Sequence, residues 1–343
     1  MRRSKSPRAT IRDIANKAAV SPASVSLALN EKGNLNEQTR VRIKSIAREL
    51  GYIPNPLARG LRGGRTGTIG VVIDHFHNRF FTGVFAGIEQ ACEEAGYAFM
   101  VAETHERPEK ERMHLINMAE RGMDGLILLP CSQDHSCAEE IRQHYRIPIV
   151  LMGNFFEESP FISVVADNWN GARMVTEHLL SLNRKPIIHI AGSQDQTKII
   201  MRRRGFESTM REKTGKPVPP EHIFFVSSIS PEEGYRAMAE VMKEFEIPLS
   251  LFVVNDDTAL GVLRYCRERG LRVPQDVAVA GFSDMDVLGD FKPFLTSVRI
   301  PAFTMGNKAA SLLVGSIHHP EKHGQAERIV VPVSLVLRES TLL

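Results

Sequence analysis

The sequence has little of what most chemistry-bearing motifs require. Its 343 residues contain four cysteines, at positions 92, 131, 137 and 266. That is too few and too scattered for a disulfide framework, and they read as free thiols. Cys131 and Cys137 flank His135, but their spacing matches no common zinc-ligand pattern, so no metal is expected. No apolar run approaches the roughly 18 residues of a membrane span. Arg2-Arg3 has no apolar stretch behind it, so no export signal is read and a cytoplasmic location is expected. GxGxxG, P-loop and GxSxG motifs are missing, so nucleotide-dependent and serine-hydrolase chemistry lose their usual carriers. Neither a cofactor nor an enzymatic activity is expected. His189 sits in an apolar run and reads as core, while His318, His319 and His323 read as solvated. No heptad segment follows the last strand-like stretch, so nothing argues for a coiled-coil tetramer.

The net charge of +3 hides an asymmetry. Residues 1–65 carry 14 Lys and Arg against 4 Asp and Glu, whereas the remainder carries 29 against 36. A basic head on an acidic body points to a polyanion as the partner of the head. The head also has buried-type periodicity. Thr10 precedes Ile11, Ile14, Ala15 and Ala18 at helical spacing, and Thr10 with Asp13 resembles a capping box. Ser21 caps a second helix with Pro22 at its first position, and Val25 and Leu29 face inward. Asn36 or Glu37 opens a third helix, which Gly51 stops. Two short helices joined by a tight turn suggest a helix-turn-helix, whose second helix enters the major groove of DNA. The short residues Ser21, Pro22, Ala23, Ser24 and Ser26 let its backbone approach phosphates and base edges. Ser21, Ser24, Ser26 and Asn30 can donate to phosphate oxygens, and Arg40, Arg42, Lys44 and Arg48 supply charge.

Asn55-Pro56-Leu57-Ala58-Arg59-Gly60-Leu61-Arg62-Gly63-Gly64 follows. Asn55 is a good N-cap and Pro56 suits the first helical turn. The helix is short and Gly60 costs it about 1 kcal/mol relative to Ala, so alone it should be mostly unfolded. From Thr68 onward, apolar strand-like runs alternate with helical segments: 68–73, 98–102, 125–129 and 149–152, then 187–191, 223–226, 251–254 and 277–281. That alternation predicts two doubly wound parallel sheets, with ligands bound beyond the carboxyl ends of the strands.

The residues Ala9–Ala15, Val20–Ser26, Leu29-Asn30, Gly51–Asn55 and Ala58…Leu61 resemble the head of the LacI/GalR family of transcription regulators, and the body is similar too, over about residues 9–340. The resemblance implies an α/β chain in three parts. Residues 1–54 would form the three-helix helix-turn-helix domain, 55–65 a hinge helix, and 66–343 an effector-binding and dimerisation domain of the two-lobed periplasmic-binding-protein type I fold. One lobe would comprise about 66–162 and 296–328, the other about 163–295 and 329–343. The family binds a pseudo-palindromic operator as a homodimer, most often as a repressor, under control of a small polar effector such as a sugar. Its hinge folds on specific DNA, and a leucine from each hinge wedges into the minor groove. Leu61 holds that position here and Ala58 the neighbouring contact. The implied DNA-binding set is Thr10, Ser21, Pro22, Ala23, Ser24, Ser26, Leu27, Asn30, Thr39, Tyr52, Asn55, Ala58 and Leu61. Leu27 departs from the Arg or other polar residue frequent there, which removes a bidentate guanine contact and leaves contact with a thymine methyl or simple packing.

For the cleft, the resemblance implies Asn78 and Phe80 from the Asn-x-Phe-Phe stretch, and Arg202, whose fork suits vicinal hydroxyls or a carboxylate. Asn255 is read as a ligand contact, and Asp256 equally as a second contact or as the cap of the next helix. Asn154, Ser283 and Ile229 stand where members often have Asp, Asp and a stacking aromatic, and Asp284 is offered as a substitute for the missing acid.

Overall fold

The computed structural model describes residues 9–29, 35–52, 65–76, 78–131, 134–155, 159–194, 196–285, 294–320 and 326–342. The chain divides into two compact units, Met1–Thr66 and Gly67–Leu343.

In the first unit, α1 (Ile11–Ala18), α2 (Pro22–Leu29) and α3 (Glu37–Glu49) enclose Ile14, Ala18, Val25, Ala28, Ile43 and Ala47. The Thr10–Asp13 capping box forms as its spacing requires. Asp13 N–H donates to Thr10 Oγ1 at 3.3 Å and Thr10 N–H to Asp13 Oδ2 at 2.7 Å. Ser21 Oγ accepts from Ser24 N–H at 3.1 Å, and Asn36 Oδ1 from Gln38 N–H at 2.9 Å. Ala19 ends α1 in the left-handed region, φ 50°, which makes the tight turn into α2.

The second unit holds two six-stranded sheets. The first has the order β11-β5-β4-β3-β1-β2 and is parallel throughout. Its strands are β1 (Thr68–Ile73), β2 (Ala98–Glu103), β3 (Gly125–Leu128), β4 (Ile149–Met152), β5 (Ile162–Ala166) and β11 (Arg328–Val331). The second has the order β12-β10-β9-β8-β6-β7. It comprises β6 (Ile187–Ala191), β7 (Ile223–Phe225), β8 (Leu249–Val253), β9 (Val277–Ser283), β10 (Thr296–Arg299) and the antiparallel edge strand β12 (Ser334–Val336). The helices between them are α4 (Phe80–Ala95), α5 (Pro108–Glu120), α6 (Ser136–Tyr145), α7 (Asn168–Ser181), α8 (Thr197–Thr214), α9 (Pro231–Glu244), α10 (Asp256–Glu268) and α11 (Ala302–His318). Central strands such as β1, β3, β4, β6 and β8 are buried along almost their whole length, which is why they read as unbroken apolar runs.

The chain passes between the sheets three times: after β5, after β10 and between β11 and β12. The lobe borders expected at 163, 296 and 329 each give one strand, β5, β10 and β11 respectively, to the wrong sheet. β5 and β11 pair with each other in the first sheet, and β10 pairs with β9 in the second. β5, β10 and β11 are only four or five residues long, and runs so short do not say which sheet they join, so pattern alone does not assign them. Helix α11 returns to the first sheet and packs against α4 at very close range. A Cβ on Gly87 would collide with the carbonyl oxygen of Phe303, and one on Gly306 with that of Val84. Among the described residues no helix is long and apolar enough to cross a membrane.

Candidate functional site

In each sheet the strand order reverses beside a central strand, at β1/β3 in the first and β6/β8 in the second. Such switch points open a crevice beyond the carboxyl ends of the strands. A cavity of about 360 Å³ lies there, lined from both sheets. Asp74 and His75 reach it from the end of β1, Leu129 from β3, and Gly153 from β4. From the other sheet come Ser228, Ile229 and Ser230 after β7, Asn255 after β8 and Ser283 at the end of β9. The helices contribute Asn78 and Phe80 ahead of and at the start of α4, and Lys198 and Arg202 from α8.

Arg202 is the electrostatic centre. It is buried, and two of its N–H groups find neutral acceptors. Nε donates to Asn168 Oδ1 at 2.9 Å and Nη1 to the Val254 carbonyl at 2.7 Å. Its guanidinium lies 3.8 Å from the centroid of the Phe282 ring, at cation–π distance. Burial pushes Arg202 down to about 9, opposed by the Asp256 carboxylate. Asp256 is itself buried, which raises it to about 6. It accepts from Ser297 Oγ at 2.6 Å and Met285 N–H at 2.9 Å. His189, behind this layer, gives a hydrogen bond through Nδ1 to Phe252 O at 2.9 Å and stacks on the Phe252 ring; burial lowers it to about 4. It is a core residue.

The start of α8 also carries contacts to the first sheet. Lys198 Nζ lies 3.8 Å from Asp74 Oδ2, and Lys198 N–H donates to Asn154 Oδ1 at 3.3 Å. Thr197 Oγ1 donates to Phe155 O at 2.8 Å and Gln196 Nε2 to Glu106 Oε1 at 3.3 Å. One helix N-terminus therefore clasps the opposite lobe beside the cavity.

Of the eight residues expected at the cleft, the structure brings together Asn78, Phe80, Arg202, Ile229, Asn255 and Ser283. Asn154 and Asp284 are not among the lining residues. Asn154 is buried, donating to Pro130 O at 3.1 Å and receiving Lys198 N–H, so its amide serves the clasp. Asp284 does not replace the missing acid. Its Oδ2 pairs with Arg299 and its Oδ1 with Arg338, each at 2.6 Å. Ser283 and Asp284 have φ of 132° and 51°, and that turn carries Asp284 to the two arginines. The cap expected as one role for Asp256 falls to its neighbour. Asn255 caps α10, accepting Thr258 N–H at 3.0 Å, while Asp256 ties β9 to β10. Lys198, Asn168, Asp74, Glu106 and Asp257 also line the cavity and were not expected. Lys198 stands one helical turn before Arg202, and Asp74 directly follows a buried strand, so both carried a readable signal.

In the first unit, Ser21, Pro22, Ala23 and Leu27 lie exposed on α2, with Ser24 and Ser26 half-buried beside them. Leu27 is 41% exposed, so it does not serve the head core. The Thr10 hydroxyl is spent on the cap, donating to Asp13 Oδ2 at 2.7 Å. Thr39 and Tyr52 are half-buried, and Tyr52 packs against the head core. Arg42 Nη2 donates to Ala18 O, so its charge staples α3 to α1. Asn30, Asn55, Ala58 and Leu61 lie outside the described residues, as do residues 55–64 of the hinge expected at 55–65.

A helix-turn-helix head on a body of two sheets that share a polar cleft defines a DNA-binding regulator built on a solute-binding scaffold. Residues 10–55 match bacterial regulatory proteins of the lacI family, and residues 176–341 match a periplasmic binding protein-like domain. The HTH-type transcriptional repressor PurR of Haemophilus influenzae strain PittEE is 29% identical over 334 residues, covering 97% of this chain and 98% of PurR. The crystal structure of the lac repressor dimer bound to operator and the anti-inducer ONPF has a TM-score of 0.85 at 25% identity, covering 98% and 99% of the two chains. The transcriptional regulator CelR–cellobiose complex has a TM-score of 0.71 at 28% identity, covering 97% and 100%. The chain is a lacI-family transcriptional regulator with a periplasmic-binding-protein-like body, a family of regulators rather than enzymes.

Proposed function

We propose that this chain is a cytoplasmic repressor that binds a pseudo-palindromic operator as a homodimer and responds to a small polar effector in the cleft. The observation that carries the effector reading is Arg202, a buried cation held on the wall of a cavity of about 360 Å³. Its bonds to Asn168 and Val254 use two of the five N–H groups of a guanidinium, leaving donors for a ligand. Lys198, Asn78, Asn255 and Ser283 add polar groups, and Phe80, Ile229 and Ile300 add apolar surface. That mixture suits a sugar or related metabolite, with one apolar face and several hydroxyls. Asp284 is committed to its arginines, so Asp74 and Asp257 are the acids placed to accept from ligand hydroxyls.

In the head, the exposed start of α2 enters the major groove. Leu27, free of the core, meets a thymine methyl there. Ala58 and Leu61 act in the minor groove once the hinge folds. Dimerisation is supported by apolar side chains on one edge strand of each sheet, Met100 on β2 and Phe225 on β7, which are 48% and 51% exposed.

A gel-shift titration against salt, paired with melting curves over a panel of small sugars, tests the reading. The expected result is steep salt dependence with retained sequence preference, and at least one sugar that raises the melting temperature and changes operator affinity. Failure to bind any DNA at low salt sinks it.

A further inference from the structure

The ends of β1 and β2 bring together three side chains that neither DNA binding nor the Arg202 network employs. Glu103 closes β2 opposite Ile73, the last residue of β1. The pairing continues past both strands, with Thr104 N–H donating to Ile73 O and His105 N–H to Asp74 O, each at 2.9 Å. His105 and Glu106 then take φ of 53° and 56°, two successive left-handed residues without a glycine. That costs backbone energy, and it sets His105 beside His75 with ring centroids 5.6 Å apart. Nδ1 of His75 and Nδ1 of His105 lie 3.6 and 3.4 Å from the same carboxylate atom, Glu103 Oε1. One ligand atom from each of the three residues falls within 4.8 Å of the others.

The two separations from Glu103 match a coordination polyhedron. Two ligands each about 2.1 Å from a tetrahedral ion stand about 3.4 Å apart. Two imidazoles with one carboxylate suit a borderline transition cation; Mg²⁺ and Ca²⁺ favour all-oxygen sites. The Glu103 carboxylate is oriented by a further bond, accepting Phe76 N–H at 2.8 Å, as outer partners orient metal-binding carboxylates.

We propose that His75, Glu103 and His105 bind one divalent transition cation of the Zn²⁺ type at the rim of the cleft, with a coordination position left open. His75 also lines the cavity, as do Asp74 and Glu106, the neighbours of two of the ligands. A cation here cross-links the ends of β1 and β2. It also adds positive charge beside Asp74 and Glu106, the acids that hold Lys198 and Gln196 of the clasp.

The test uses full-length protein without a polyhistidine tag, stripped with a chelator and titrated with Co²⁺ and then Zn²⁺. One Co²⁺ per chain should appear by its visible absorption, be displaced by Zn²⁺, and raise the melting temperature. The His105 side chain is 47% exposed, so His105→Ala and His105→Gln should both fold. Each should weaken Co²⁺ binding at least about ten-fold while leaving circular dichroism and operator binding unchanged. A wild-type protein with neither a cobalt band nor a zinc-dependent shift overturns the proposal. So does wild-type affinity in both variants, which would place the metal on other histidines.

Discussion

Replacing Arg202 with Met should leave the body nearly as stable as before and abolish its response to effector. The magnitudes follow from the surroundings of the side chain. A fall from 12.5 to about 9, burial set against the Asp256 carboxylate, corresponds to a net cost of roughly 5 kcal/mol. Against it stand two charge-assisted hydrogen bonds, to Asn168 and Val254, at roughly 1.5–3 kcal/mol each. The contact with Phe282 adds about 2 kcal/mol in a desolvated setting. The opposing contributions balance to within a few kcal/mol, Met fills similar volume with apolar atoms, and because Asn168 lines the cavity, water can replace the lost donor there. The melting temperature should therefore move by no more than about 5 °C, since about 1 kcal/mol shifts a domain of this size by roughly 2–4 °C. The effector loses far more. A two-pronged bond from a guanidinium is worth roughly 3–6 kcal/mol, so affinity should fall by about two to four orders of magnitude. Melting curves with and without a stabilising sugar read both quantities in one assay, and gel shifts check that operator binding persists. A drop well beyond about 10 °C would show Arg202 to be chiefly structural. An undiminished sugar shift would remove it from the ligand site.

Asp256 gives a pH signature. Its folded value is raised from 3.8 to about 6, so the folded body holds this proton more tightly than the unfolded chain. The resulting stability is fully present below 3.8 and is lost as pH rises through about 6, a swing of roughly 3 kcal/mol. Asp256→Asn should erase that swing in urea melts at several pH values, and a difference from wild type that is constant with pH would refute the assignment. Asn255→Ala should cost about 1 kcal/mol through loss of the α10 cap. Asn255→Asp should restore that stability without restoring the sugar response; recovery of both would make the residue a cap alone. Leu61→Ala should weaken operator binding much more than nonspecific DNA binding, because a wedge acts only in a folded hinge. Equal losses on both DNAs, by fluorescence anisotropy, would count against the wedge.

Local chemistry was the readable part of this chain. Thr10 and Asp13 sit at capping-box spacing, and their bonds form because nothing distant competes for an exposed helix end. The central strands announce themselves because burial on both faces demands apolar residues throughout. Arg202 and Phe80 could be placed through the resemblance, since both sit at fixed offsets from elements that the sequence marks clearly. Lys198 and Asp74 were missed although their local positions were readable; the other large misses are nonlocal. Which sheet receives β5, β10 and β11 depends on pairing, not on their composition. Asp284 was assigned by position, but Arg299 and Arg338, distant in sequence, capture both its oxygens. His75 and His105 are likewise far apart along the chain and meet through the β1–β2 register.

The same nonlocality bears on how a ligand could be felt. The first turns of α8 hold the opposite lobe through Gln196, Thr197 and Lys198, and Arg202 one turn later faces the cavity. A ligand that engages Arg202 thus acts on the helix whose end fixes the lobes together. Reversing a two-state population from 1:99 to 99:1 takes about 5.5 kcal/mol of differential binding. The roughly 3–6 kcal/mol available from the guanidinium fork is of that size, provided the bonds form in one lobe arrangement only. The Lys198–Asp74 pair sits in the same wall at 3.8 Å, partly exposed and weak by comparison. On the proposed reading it is therefore the contact that ligand hydroxyls would displace most easily, and Arg202 would supply the energy that decides which arrangement persists.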